Sequence, residues 1–359
     1  WCRCIPMTPE PENRINNMRI HTILVFTALI VAMAIAPGFP VMAADAPEVT
    51  IQNYVRAETD LQMRNYVENM DAFGKFAHVR EATDVTSRDT IRPNRDTLYS
   101  WSVFDLTSPL TIGLPDPGDR YQSLMIVSQD HSIWSEYGPQ EVVLDQETVG
   151  TRYALLLLRT FLDPNDEEDV KAAHALQDAV TVKQADKGKF EYPGWNKEEV
   201  EAMRDKINVV AVLLPDNTKT FGRKEDLDPI YWLLGAAGGW GGLPVQDVAY
   251  ANAVPEKNDG KTPYTLTVKD VPVDAFWSVT VYDDKGMFIV NEHDAYSYNS
   301  VTAKKNEDGS ATIHFRGDPG QDNFLPIVPG WNYIVRMYQP RKELLEGTWK
   351  FPVPEPVTH

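Results

Sequence analysis

The chain has 359 residues, with 34 Lys and Arg against 52 Asp and Glu, a formal net charge of −18 and two cysteines. A field of that sign repels nucleic acid and anionic lipid, so nucleic acid is not an expected partner, and the charge favours solubility without specifying a fold. Both cysteines, Cys2 and Cys4, precede the first apolar run; beyond them the residues for a structural disulfide, a thiol nucleophile, an iron–sulfur cluster or haem c attachment are absent.

Residues 18–44 come first in the argument. Met18-Arg19-Ile20-His21 opens a run from Thr22 to Ala36 without a charged residue, and Val41-Met42-Ala43-Ala44 precedes Asp45. A basic start, a short apolar core and small residues before an acid form a secretory signal peptide. The run falls short of the ~20 residues that span a bilayer. Cleavage after Ala43 or Ala44 is expected, with export to the periplasm or the medium and no stable membrane insertion afterwards. Residues 1–17 fit no targeting pattern. Removing 1–44 takes three basic and two acidic residues, which leaves 31 and 50 in a 315-residue thiol-free chain. That length exceeds one small core and suggests two domains stabilised by burial alone.

Four zones follow. From Val49 to about Phe76, Met63, Tyr66, Val67, Met70 and Phe73 recur at helical spacing, with Thr59 or Asp60 as the candidate cap. From His78 to Leu162 the chain reads as strands. Tyr99, Trp101 and Val103 alternate with small polar residues, and Arg152–Thr160 is almost continuously apolar, as in a strand buried on both faces. From Asp163 to Gly242 it reads as helices. Acids follow Pro164, Asn196 and Glu199 resemble a capping box, and Asp228-Pro229 opens an all-apolar helix, Ile230 to Ala237, expected to be buried. Gly238-Gly239 end it, and the glycines to Gly242 read as close backbone packing. They follow a helix and not a strand, so a dinucleotide is not expected. From Pro244 onward strands return, with Trp277, Val279 and Val281 alternating with Ser278, Thr280 and Tyr282, and hairpin turns at Asp283–Gly286 and Glu307–Ser310. The predicted fold is mainly β: two β-sandwich domains with a helical segment between them. The boundaries are 45–162 for the N-terminal helix and sandwich, 163–243 for the helical segment and 244–359 for the C-terminal sandwich.

Longer strings carry a family resemblance. Asn94-Arg95-Asp96-Thr97-Leu98-Tyr99-Ser100, followed by Val103-Phe104-Asp105-Leu106, resembles domain of unknown function 1254. Asp274–Asp283, Ala295–Ser300, Asn323–Pro326 and Gly330–Tyr338 resemble its usual partner, domain of unknown function 1214. The resemblance implies an immunoglobulin-like N-terminal sandwich and a jelly-roll-like C-terminal one. It implies no agreed reaction, although some members look like metal-dependent degraders of small organic compounds.

Two histidines have an acid beside them at the end of a strand or just after one: Asp130-His131 and Glu292-His293. Two imidazoles and a carboxylate suit iron, manganese or zinc with open positions, so His131, His293, Asp130 and Glu292 are the candidate ligands of a divalent metal ion. Neighbours on an extended strand point to opposite faces, so Asp130 and His131 share a site only across a bend. The bland alternative is a pair of solvated acid–imidazole neighbours. His174 reads as a packing residue on a helix and His314 as the solvent side of a strand. Arg95 and Asp96 are candidates either to grip a polar substrate or to form an internal ion pair. Tyr99, Trp134 (in an expected loop), Trp277 and Arg336 complete the candidate substrate set, because pockets are mainly apolar with few polar anchors. Arg336 faces away from Val335 and Met337, and if that face lies between domains it needs an acid or a substrate anion. The expected function is an exported metal-dependent enzyme, a hydrolase or an oxygen user, acting on a small, aromatic or similar, organic compound. The alternative is a non-catalytic ligand-binding or assembly module, as a single chain or a homo-oligomer.

Overall fold

The computed structural model describes residues 46–357 apart from 89, 212 and 215–217, so the expected signal peptide and both cysteines lie outside the described residues. The first half runs α1 (Tyr54–Met70), β1 (Ala77–His78), β2 (Thr97–Asp105), β3 (Leu110–Leu114), β4 (Gln122–Ser128), β5 (Ile133–Glu136), β6 (Gln140–Leu144), α2 (Gln146–Val149) and β7 (Tyr153–Phe161). Next come α3 (Glu167–Asp178), β8 (Thr181–Gln184), α4 (Lys197–Ala211) and α5 (Pro229–Gly239). The second half holds β9 (Val248–Ala253), β10 (Tyr264–Val268), β11 (Trp277–Tyr282), β12 (Ser297–Asn299), β13 (Ala311–Phe315), β14 (Phe324–Leu325), β15 (Asn332–Tyr338), α6 (Lys342–Leu345) and β16 (Glu355–Pro356).

The N-terminal sandwich pairs a sheet of order β1-β2-β7-β4-β5 with one of order β6-β3-β8. Strand alternation divides the first sheet's side chains between two cores. Phe104, Leu124, Ile126, Leu156 and Leu158 meet Leu110, Ile112, Val142 and Leu144 of the smaller sheet. Val103, Met125, Val127, Leu155 and Leu157 point the other way and meet Met63 of α1 and Phe276 and Tyr338 of the second half. β7 is therefore buried on both faces, as its apolar run predicts. β8 comes from the predicted helical zone and completes the smaller sheet, through its pairing with β3.

The C-terminal sandwich packs the sheet β14-β13-β10-β16 on β12-β11-β15-β9. Leu266, Ile313 and Phe315 meet Trp277, Val279, Trp331 and Val335 between the two layers. The opposite face of the second sheet carries Ser278, Thr280, Tyr282, Arg336, Tyr338 and Tyr250. Three of these fall in register across the strands, Ser278 with Arg336 and Arg336 with Tyr250. A polar sheet face this deeply covered needs hydrogen-bonding partners from elsewhere.

The helices α1, α4 and α5 share an apolar cluster of Val55, Ala57, Val200, Ile207, Leu234 and Ala237. Two sequence expectations are corrected here. The chain enters α1 at Asn53, whose carbonyl accepts the Ala57 amide, and Thr59 and Asp60 are buried mid-helix. α5 is not enclosed all round: Leu234 to Ala237 are buried, while Ile230 is 67% exposed. Of the two glycines after it, Gly242 packs closely, since a Cβ there would strike the Phe221 ring, whereas a Cβ on Gly241 would meet open space.

Candidate ligand-binding cleft

The side of the first sheet that faces the second half is unusually aromatic. β2 presents Tyr99 and Trp101 there, and the β2–β7 register sets Arg159 opposite Tyr99. α1 lays Tyr66 on Trp101 with ring centroids 4.1 Å apart and planes 13° from parallel. Tyr99 is also near-parallel to Trp101, with ring centroids 6.1 Å apart. None of these three rings is fully buried. Across from them the second half contributes Tyr250 of β9, along with Asp247 just ahead of that strand.

Solvent reaches Tyr250. Its side chain keeps 42% of its surface accessible, yet burial pushes its hydroxyl upward in pKa. Tyr250 lies close enough to Arg159 and Tyr99 for their charges to act on its hydroxyl, so these side chains border one solvent-accessible cleft between the two halves. Tyr66, only half-buried by surface, is raised by the same cause. Asp247 is 7% exposed and accepts a hydrogen bond from the Tyr137 hydroxyl at 2.9 Å. Burial raises its pKa against the opposing pull of Arg159.

Arg159 is 8% exposed. Among the described residues its guanidinium makes one polar contact, Nη1 to Met125 Sδ at 3.5 Å, and lies 5.8 Å from the centre of the Tyr99 ring. No carboxylate among the described residues pairs with it.

The model for "Protein of unknown function (DUF1254)" matches residues 73–142, and that for "Protein of unknown function (DUF1214)" matches 247–342. The chain pairs a DUF1254 domain with a DUF1214 domain. No curated protein matches it. The crystal structure of the VPA0106 protein from Vibrio parahaemolyticus is similar in fold, with 20% identity, a TM-score of 0.67, and coverage of 86% of this chain and 98% of that one. An uncharacterised protein from Burkholderia cenocepacia aligns at 16% identity and a TM-score of 0.43, over 84% of this chain and 89% of its own.

The segment that carries the DUF1254 signature clips the two domains together. Asn94 donates to the hydroxyls of Tyr99 at 3.4 Å and Tyr338 at 3.0 Å. Asp96 Oδ1 accepts from Ser297 Oγ and Asn299 Nδ2, both at 3.1 Å, and its buried Oδ2 has no partner. Arg336 of the DUF1214 sheet donates to Thr280 Oγ1, the Tyr282 hydroxyl and the carbonyls of Arg92 and Pro93. No carboxylate among the described residues pairs with it. Backbone carbonyls and hydroxyls meet its needs instead.

The remaining candidates fall elsewhere. Arg95 does not pair with Asp96; it donates to the Thr83 carbonyl at 2.8 Å and lies over Tyr296. Trp134 stands on β5 and not in a loop, 8% exposed in the core between the sheets of the DUF1254 sandwich. Trp277 is core in the DUF1214 sandwich. His131 is fully buried, and its Nε2 accepts the Gly241 amide at 2.9 Å. Asp130 points outward to Arg56, 2.5 Å away. His293 packs on Phe324, with Glu292 3.9 Å off. These four side chains therefore have separate neighbours, and among the described residues no three His, Cys, Asp or Glu come together as a metal site. A surface depression of about 300 Å³ between Lys304 and His314 is lined by turn residues, and its Lys304 already pairs with Asp322. Sequence reading missed Arg159, Tyr66, Tyr250 and Asp247. The one usable signal was Arg159, a charge inside the nearly unbroken apolar run of β7.

Proposed function

We propose that the protein is exported and that the recess between its DUF1254 and DUF1214 domains binds a small, flat organic compound. The observation that carries the reading is the Tyr66–Trp101–Tyr99 array, whose rings stay half-accessible beside the Arg159 guanidinium. Binding pockets are mainly apolar and aromatic with a few placed polar groups, and this cleft sets Arg159 and Asp247 among Tyr66, Tyr99, Trp101 and Tyr250. The reading keeps the ligand class expected from the sequence. It draws no step through a metal ion, because the donors proposed for one do not converge. Export rests on the pattern of residues 18–44.

Tryptophan fluorescence tests the binding. Benzyl alcohol should quench it saturably while cyclohexanol does not, and Trp101→Ala should weaken benzyl alcohol by about three- to tenfold, the value of an aromatic contact. Equal responses to both alcohols, or an unaffected Trp101→Ala variant, would count against the aromatic recess. N-terminal sequencing of exported protein should begin at Ala44 or Asp45; a product that retains residues 18–44 would defeat the export half.

A further inference from the structure

The described chain buries two arginines, Arg336 and Arg159, and treats them differently. Arg336 has four oxygen acceptors around its guanidinium. Other arginines that are partly covered have carboxylates: Arg152 has Asp105 and Glu191, Arg120 has Asp169, and Arg204 has Glu58. Arg159 has a thioether. A cation withdrawn from water without a counter-charge or full hydrogen bonding is costly, and a chain that keeps one does so against a large penalty.

The surroundings show what would relieve it. Arg159 faces Tyr99 from β2, Tyr66 from α1, Tyr121 ahead of β4, and Tyr250 and Asp247 from the DUF1214 side. Its charge favours the ionised forms of Tyr66, Tyr121, Tyr250 and Asp247, which places all four within its electrostatic reach. Asp247 is the only acid in that group, and it is held by Tyr137 and not by Arg159. A guanidinium fork with phenolic hydroxyls about it matches a planar oxyanion, which it can engage through two parallel hydrogen bonds. The stacked rings beside it match an aryl group. We infer that the ligand of this recess is an aryl carboxylate or a similar aromatic oxyanion, with its anionic group on Arg159 and its ring against the Tyr66–Trp101–Tyr99 face. This inference rests on the recess being a ligand site.

Benzoate and benzyl alcohol separate the two ideas, since they share a ring and differ in charge. In the wild-type protein benzoate should bind about tenfold or more tightly than benzyl alcohol, the increment of a charge-assisted pair over a neutral one. Arg159→Gln should abolish the preference and bring benzoate to the level of benzyl alcohol in the same variant. Removing a buried unpaired charge costs little fold stability, so the variant should melt at or above the wild-type temperature. Benzoate binding no tighter than benzyl alcohol in the wild type overturns the inference even if the variant fails to fold, and the aromatic recess then stands without its anion. Benzoate preference that survives Arg159→Gln overturns it as well. If neither compound binds, the ligand reading of the recess falls first and this inference falls with it.

Discussion

His131 shows how a residue can carry every outward sign of a ligand and serve the fold instead. Its backbone is left-handed, with φ 57°, which turns the side chain inward while Asp130 stays at the surface. Because Nε2 accepts the Gly241 amide, the neutral ring keeps its proton on Nδ1, which has no partner. Burial among Trp240 and Phe221 lowers its pKa from 6.5 to about 3. The folded state thus binds fewer protons than the unfolded one between these values. Its contribution to stability is complete above pH 6.5 and is lost as pH falls toward 3, by at most about 1.4 kcal/mol per pH unit. Denaturant melts from pH 7 to pH 4 should show a steeper loss in the wild type than in His131→Gln, which keeps an acceptor and cannot titrate. Parallel slopes would mean that the imidazole does not titrate in this way. The sequence revealed the acid–imidazole neighbours and their opposed directions. It did not reveal that a glycine 110 positions later would occupy the free nitrogen, because that contact is made by tertiary packing.

Among the elements, α1 owes its place to polar residues that its periodicity does not explain. Glu58, Thr59 and Asp60 follow one another in mid-helix, and all three are buried. Each reaches a different neighbour: Glu58 the Arg204 guanidinium of α4 at 2.7 Å, Thr59 the Trp240 indole, and Asp60 both Gln129 and the Trp195 indole. The helix is stapled to three separate parts of the chain. Arg204→Met leaves Glu58 buried without its cation and should cost about 3–5 kcal/mol. Adding Glu58→Gln to that variant should recover much of the loss in a urea melt; two substitutions whose costs simply add would show that the pair is not coupled. These residues are also where reading by pattern fell short. Strands such as β2, β7, β10 and β11 were legible, because alternation and unbroken apolar runs follow from which faces are covered. The start of α1 was not: a polar triplet resembles a cap until the partners that bury it are known. α5 fell short for the reverse reason, since apolar residues do not by themselves say how much of a helix finds a neighbour.

For the whole molecule, the joint between sandwiches is polar. Asp96 holds Ser297 and Asn299 across it through one carboxylate oxygen, while the other has no partner. Asp96→Ala should therefore destabilise the chain by about 1–3 kcal/mol by stranding the buried Asn299 donor and removing the acceptor of the half-buried Ser297 hydroxyl. Asp96→Asn, which keeps the accepting oxygen, should stay much closer to wild type in calorimetry, and equal losses in both would show that the bonds to Ser297 and Asn299 are not what matters. The signature string around Asn94 made the family legible from sequence. Its role as a clasp was hidden, because neither Arg95 nor Asp96 takes the other as partner. The aromatic recess was partly legible, through Tyr99 alone.

That recess has one wall on each sandwich: Tyr99, Trp101 and Arg159 on the first, Tyr250 and Asp247 on the second. Whatever occupies it is held by both walls at once, so occupancy and the closeness of the two halves form a single linked equilibrium. A substitution at the joint, far from any ring, would then alter how firmly the guest is kept, and a guest would in turn resist the parting of the halves.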